Sequence, residues 1–244
     1  MRVLITRPEP DASRTAALVA ERGHEPVIAP LSTIRPTGAS TPPRAFDAVI
    51  ATSRNAVAAL VGSDAVADLV GMPFYAVGTA TAAAASAAGF RDVREGGGTA
   101  ERLADRIRAE LPPGSRLFYA AGRPRKPQLE TALDRFFTLD VVEVYVAETP
   151  AALPQAAATV LEEPGDVAIL HASRGAAEAL LALAGSAGMT ESVRRALHVA
   201  VSEDAADPLR RAGCSRVEVS PRPVPDAMPD LLPSARGSGW SGSG

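Results

Sequence analysis

Two stretches of the sequence, Ala51-Thr52-Ser53-Arg54-Asn55 and His171-Ala172-Ser173-Arg174-Gly175, set a short hydroxyl and an arginine directly after an apolar run. Small hydroxyl donors, a cation and the free N–H groups of a starting helix suit an anionic ligand, a carboxylate or a phosphate. The same residues also make an ordinary N-cap with a solvated arginine, and one copy alone does not decide. Other polar groups follow apolar runs at Thr6-Arg7-Pro8, Gly78-Thr79-Ala80-Thr81, Gly122-Arg123-Pro124-Arg125-Lys126 and Ser202-Glu203-Asp204. The basic run fits an acidic ligand or a solvated loop, and Gly96-Gly97-Gly98 reads as a flexible loop. His171 has the chemistry of a general acid or base or of a ligand-facing or structural group, yet no Ser, Asp and His trio is recognisable. A dinucleotide-binding glycine fingerprint, a P-loop and a nucleophile elbow are all missing, so no nucleotide cofactor is indicated.

The elements that must position these groups are short. Apolar runs at 3–6, 25–29, 48–51, 74–77, 116–119, 141–145, 167–171, 198–201 and 216–219 read as buried parallel strands. Stretches at 10–22, 55–60, 81–88, 100–111, 127–136 and 176–184 read as covering helices. Alternation of this kind predicts an α/β fold with doubly wound parallel sheets. A chain of 244 residues has room for two such domains. It is 46% hydrophobic and 22% charged, which excludes wholesale disorder. A net charge of −3 and only 4% aromatic residues give no basis for nucleic-acid binding. One cysteine, Cys214, and three scattered histidines (His24, His171, His198) leave no disulfide and no metal cluster to expect. The charged, proline-containing start and the lack of a long apolar run predict a cytoplasmic protein without membrane contact.

The chain also repeats itself. Ser53-Arg54-Asn55-Ala56-Val57-Ala58-Ala59-Leu60 and Ser173-Arg174-Gly175-Ala176-Ala177-Glu178-Ala179-Leu180 agree at five of eight positions, each after an apolar strand. Ala76-Val77, Ala82, Ala88-Gly89 and Val93 continue the likeness against Ala200-Val201, Ala206, Ala212-Gly213 and Val217. A weaker pair links Leu4–Pro30 with Leu117–Tyr145, each with an Arg-Pro after its first strand. The order is therefore A, B, A′, B′. It fits either two consecutive domains or an inserted one. Extended stretches at 31–36 and 144–150 favour insertion mildly.

Thr6-Arg7-Pro8, Ala51-Thr52-Ser53-x-Asn55-Ala56-Val57, Ala76-Val77-Gly78-x-x-Thr81-Ala82 and Val144-Tyr145, in this order and with this duplication, resemble the uroporphyrinogen-III synthase family over roughly residues 1–232. The resemblance implies two similar doubly wound domains, residues 1–36 with 151–232 and an inserted 37–150, joined by a two-stranded β-ladder, with a flexible tail at 233–244. It implies a cofactor-free and metal-free lyase that converts hydroxymethylbilane, a linear tetrapyrrole with eight carboxylates, to uroporphyrinogen III with loss of water and inversion of ring D. It implies a monomer whose interdomain cleft holds the substrate. Tyr145 matches the family's tyrosine and, protonated at neutral pH, would help the hydroxyl leave. The substrate-binding set is Arg7, Thr52, Ser53, Asn55, Gly78, Thr79, Thr81, Gly122, Arg123, His171, Ser173, Arg174 and Ser202. In B′ the chain departs from the family pattern, with Glu203, Asp204 and Ala205 where a Gly-x-Thr-Thr stretch is usual. Two carboxylates at such a place oppose a polycarboxylate unless basic neighbours pair with them. A non-catalytic synthase-like tetrapyrrole-binding or regulatory module is the alternative those residues raise.

Overall fold

Each short apolar run becomes a strand because side chains wall it on both faces. The computed structural model describes residues 1–42, 44–63 and 66–234, and the predicted tail lies outside these from 235 onward. By its contacts the chain divides into unit 1, Met1–Thr33 with Thr149 onward, and unit 2, Ile34–Glu148.

In chain order, β1 (Arg2–Ile5), α1 (Asp11–Glu21) and β2 (Glu25–Ile28) begin unit 1. Next come β3 (Thr33–Pro36), β4 (Ala48–Ala51), α2 (Arg54–Val61), α3 (Val66–Leu69), β5 (Phe74–Ala76), α4 (Thr79–Ala87), β6 (Val93–Glu95), α5 (Ala100–Glu110), β7 (Arg116–Arg123), α6 (Gln128–Leu133) and β8 (Thr138–Glu148). The chain then completes unit 1 with α7 (Gln155–Glu162), β9 (Val167–His171), α8 (Arg174–Ser186), α9 (Thr190–Arg195), β10 (Leu197–Ala200), α10 (Glu203–Arg211), β11 (Val217–Val219) and a 3₁₀ turn, Pro225–Leu231. No helix among the described residues is long and apolar enough to cross a membrane.

The sheet of unit 1 runs β11-β10-β9-β1-β2, and that of unit 2 runs β3-β8-β7-β4-β5-β6. All neighbours in the first sheet are parallel, as are β8-β7-β4-β5-β6 in the second. Read in the same direction, β11-β10-β9-β1-β2 and β6-β5-β4-β7-β8 place the repeats identically. A (β1, β2) lies beside B′ (β9, β10, β11), and A′ (β7, β8) lies beside B (β4, β5, β6). Of the two assemblies that the repeat allows, the chain adopts the insertion. β3 adds an edge strand next to β8, where Thr37 donates its N–H to the Val144 carbonyl at 3.0 Å and Arg35 meets Glu148 at 3.0 Å.

Alternation along the strands fills a core on each face of each sheet. In β1, Val3 and Ile5 enter one core and Leu4 the other. In β4, Val49 and Ala51 face α2 and α4, while Ala48 and Ile50 face α5 and α6. Helix α5 shows the local rule: Thr99 accepts from the Arg102 N–H at 3.2 Å, and Leu103, Ala104 and Ile107 form the buried stripe.

The triple glycine is an ordered turn rather than a flexible loop. Gly96 N–H and Gly98 N–H donate to the carbonyls of Ala76 and Val77, both at 2.7 Å. Gly97 and Gly98 have φ of 74° and 90°, a region that L side chains avoid.

Candidate functional site at the strand ends of each unit

In a doubly wound sheet the crevice for a ligand opens beyond the carboxyl ends of the strands, where the order of connection reverses. That point lies between β4 and β7 in unit 2 and between β9 and β1 in unit 1. The sequence-predicted residues fall at these ends because each strand stops and a helix starts there.

In unit 2, Ser53 is the N-cap of α2 and accepts from the Asn55 N–H at 3.1 Å. Beside it Thr52 shares a hydrogen bond of 3.2 Å with the Tyr119 hydroxyl, which joins β4 to β7 at the reversal. Tyr119 is buried, and burial pushes its phenol above the ordinary range. The helix after β5, α4, has Gly78 as its N-cap, which brings no side chain to cap the first-turn N–H groups. No acidic residue stands in the first turn of α2 or α4. Thr79 donates to Glu95 at 3.0 Å from an exposed position, and Thr81 is buried.

On β7 and β8, Arg123 is 62% exposed and meets Glu143 at 3.4 Å. Arg125 lies between Glu130 at 2.5 Å and Glu143 at 2.7 Å, with the Gly122 carbonyl at 3.4 Å. Tyr145 lies across from Gly122 in the strand pairing and is partly buried against the core that contains Val144. Tyr119, Gly122 and Tyr145 therefore sit on adjacent strands of one sheet, with Thr52 directly after β4 and Arg125 in the loop after β7.

Unit 1 has the same plan with different electrostatics. Ser173 caps α8 by accepting from Ala176 N–H at 3.2 Å, and Ser202 caps α10 by accepting from Ala205 N–H at 3.4 Å. Arg174 binds Glu178 at 2.7 Å, Asp207 at 3.0 Å and Asp204 at 3.4 Å. Glu203 pairs with Arg210. The two acids that B′ carries are thus both paired with basic neighbours, and Ala205 is buried beneath them. Arg7 is held by Asp11 at 2.7 Å and Thr15 at 3.1 Å, with Asp226 at 3.9 Å, and its side chain is only 11% exposed. Thr6 donates to the Leu170 carbonyl at 2.8 Å and bridges β1 and β9.

His171 requires a correction, because its imidazole is fully buried and does not reach the ligand side of the strand end. Its Nε2 lies 2.9 Å from His198 Nδ1, and His198 Nε2 lies 2.8 Å from the Val193 carbonyl. The carbonyl can only accept, so His198 donates from Nε2 and accepts at Nδ1, which places the His171 proton on Nε2. His171 Nδ1 is left without a partner among the described residues. Burial lowers both histidines, His171 well below the ordinary value, and each is a neutral core group.

Sequence reasoning missed Tyr119, which reads as plain core in Arg116–Tyr119, and the role of Arg125 as a clamp within the basic run. A cavity of about 710 Å³ in unit 2 is lined by Phe46, Leu60, Gly62, Ser63, Leu69 and Met72 among others, and none of the predicted site residues lines it. Most of these lie before β4 and β5 or at the end of α2, the side of the sheet away from the strand carboxyl ends.

The family model of uroporphyrinogen-III synthase HemD matches residues 13–230. No curated protein sequence matches the chain significantly. Among solved structures, the uroporphyrinogen-III synthetase of Helicobacter pylori superposes with a TM-score of 0.65 at 18% identity, over 95% of this chain and 98% of that one. A mutant uroporphyrinogen III synthase from the extremely thermophilic bacterium Thermus thermophilus superposes with a TM-score of 0.57 at 21% identity, over 93% of this chain and 95% of that one. At such identities these two likenesses establish the fold.

Proposed function

The chain belongs to the uroporphyrinogen-III synthase family, and from that premise we propose how its strand-end residues divide the work. It is a lyase that cyclises hydroxymethylbilane in haem biosynthesis. The observation that carries this function is the family match over residues 13–230, which takes in all of unit 2 and most of unit 1.

The substrate's carboxylates are held chiefly by unit 2. Helices α2 and α4 follow adjacent strands with no acid in their first turns, so beyond the Asn55 N–H that Ser53 satisfies, their starts can receive an anion. Thr52, Ser53, Asn55, Gly78, Thr79 and Thr81 surround those N-termini, and Arg123 adds an exposed cation. In unit 1, Ser173 and Ser202 offer similar N-termini, while Arg7 and Arg174 chiefly organise their own acids. Tyr145 is the proton donor. As the C–O bond of the substrate's hydroxymethyl group breaks, the phenol O–H supplies the proton that makes water the leaving group. The proton released from the attacking pyrrole carbon once the ring has closed restores the phenol. The pyrroles supply the electrons, so the protein's larger task is to hold the chain in the conformation that inverts ring D. We further propose a cytoplasmic monomer, in keeping with the single, buried Cys214.

Incubation of the purified protein with hydroxymethylbilane and chromatographic separation of the type I and type III isomers tests this reading. Type III product is expected. Only the type I isomer, which forms unaided, would reject it.

A further inference from the structure

We propose that Gly122 is a positioning residue, the seat that fixes the Tyr145 phenol, an inference that rests on Tyr145 being the proton donor. An ideal Cβ placed on Gly122 would lie 2.2 Å from Tyr145 Cζ, 2.4 Å from its hydroxyl oxygen and 2.6 Å from Cε1. Carbon atoms in contact stand about 3.5–4.0 Å apart, so a side chain at 122 and this ring position exclude each other. The φ of Gly122 is not in the left-handed region, which means that space and not backbone conformation demands glycine.

The register explains the contact. β7 and β8 pair regularly as far as Ala121↔Glu143 and then shift to Gly122↔Tyr145 and Arg123↔Val146. One extra residue of β8, Val144, is absorbed there, and such a bulge re-aims the following side chain. Val144 turns into the core while Tyr145 lies over the bare Cα of Gly122. Arg125 reinforces the place from the loop after β7, through the Gly122 carbonyl at 3.4 Å and Glu143 of β8 at 2.7 Å. The atoms nearest the added Cβ are the far end of the tyrosine side chain, and Tyr145 is only partly buried. An alanine at 122 therefore displaces the phenol before it opens the sheet.

The test compares kcat for type III formation in the wild type, Gly122→Ala, Tyr145→Phe and the double variant. Tyr145→Phe is expected to lower kcat about 10²-fold. Gly122→Ala is expected to lower it by up to about 10²-fold through misplacement of the hydroxyl, with native circular dichroism. Added to Tyr145→Phe, Gly122→Ala should lower kcat no further, because the hydroxyl it misplaces is already gone. An equal loss in both backgrounds, or no loss from Gly122→Ala while Tyr145→Phe is slow, overturns the seat and leaves the donor intact. An unchanged kcat in Tyr145→Phe instead removes the donor, and the catalytic role of Gly122 with it. If Gly122→Ala does not fold, adding Tyr145→Ala vacates the ring and should restore folding, and failure of that rescue also overturns the proposal.

Discussion

Lowering the pH from about 7.5 to about 5.5 is expected to destabilise unit 1 through the buried pair His171 and His198. Each ring is neutral in the folded chain, with its protonation pushed below the ordinary value of about 6.5 by burial, and His171 is lowered further by its neighbour. The unfolded chain recovers the ordinary value and binds more protons as the pH falls. Stability is therefore complete above the unfolded value and declines below it. A histidine that stays neutral in the fold over this interval costs about 1.4 kcal/mol, so the pair sets an upper bound of about 2.7 kcal/mol. His24 shifts in the same direction and adds to the loss. Carboxylates held low by arginines, such as Asp92, Glu110 and Asp230, titrate at lower pH and leave this window to the histidines. Urea midpoints across the interval, with hydrogen exchange read at Val167–His171 and Leu197–Ala200, measure the effect. The double variant H171L/H198Q keeps a donor for the Val193 carbonyl and should flatten most of the pH dependence. An unaltered slope in that variant, or stability independent of pH in the wild type, refutes the reasoning.

Tyr75→Phe removes a buried hydroxyl that accepts from Arg94 at 2.8 Å and donates to Glu110 at 3.1 Å, and should cost about 1–2 kcal/mol in urea unfolding. The same phenol is pushed up to about 12, first by burial, so its hydrogen bonds should persist unchanged through mildly alkaline pH. Gly96→Ala brings a Cβ to 2.6 Å from Leu103 Cδ1 and 2.8 Å from its Cα, and is expected to lower thermal stability by about 1–3 kcal/mol without altering the isomer formed. Thr79→Glu gives α4 the acid that α10 already has, and should raise KM for hydroxymethylbilane several-fold at low salt with the difference shrinking as salt is added. Equal KM values at low and high salt would count against carboxylate binding at that helix start.

The sheets were legible in the sequence because buried parallel strands are locally apolar, as Ala48–Ala51 and Val167–His171 show with identical bounds. β6 escaped because Val93-Arg94-Glu95 has one apolar residue in three and depends on β5 for its pairing. α10 escaped because Pro208 lacks the N–H that a helix interior needs, yet Ala205, Ala206 and Leu209 bury one face and hold it helical. The hydroxyl caps could be read because a cap is made within three residues. The state of the arginines could not, since Arg7 meets Asp226 and Arg174 meets Asp207 only after folding. The burial of His171 likewise depends on β10, which brings His198 beside it.

Electrostatics separate the two copies of the Ser-Arg turn more sharply than their residues suggest. At the start of α10, Glu203 and Asp204 already answer the helix dipole, and Arg174 and Arg210 answer those acids in turn. The local charge of unit 1 is balanced from within, so an incoming carboxylate gains little and displaces existing pairs. At the start of α4 no acid stands in the first turn, and the nearby carboxylate of Glu95 is held from β6 by the Thr79 hydroxyl at 3.0 Å. Folding gains nothing from such an end, since an acid there would stabilise the helix by about 0.3–1 kcal/mol. An end without a first-turn acid is the one to which the proposed function assigns the substrate's carboxylates. Duplication thus supplied two equivalent strand ends, the first-turn acids stand on one of them, and the proposed anion binding falls to the other.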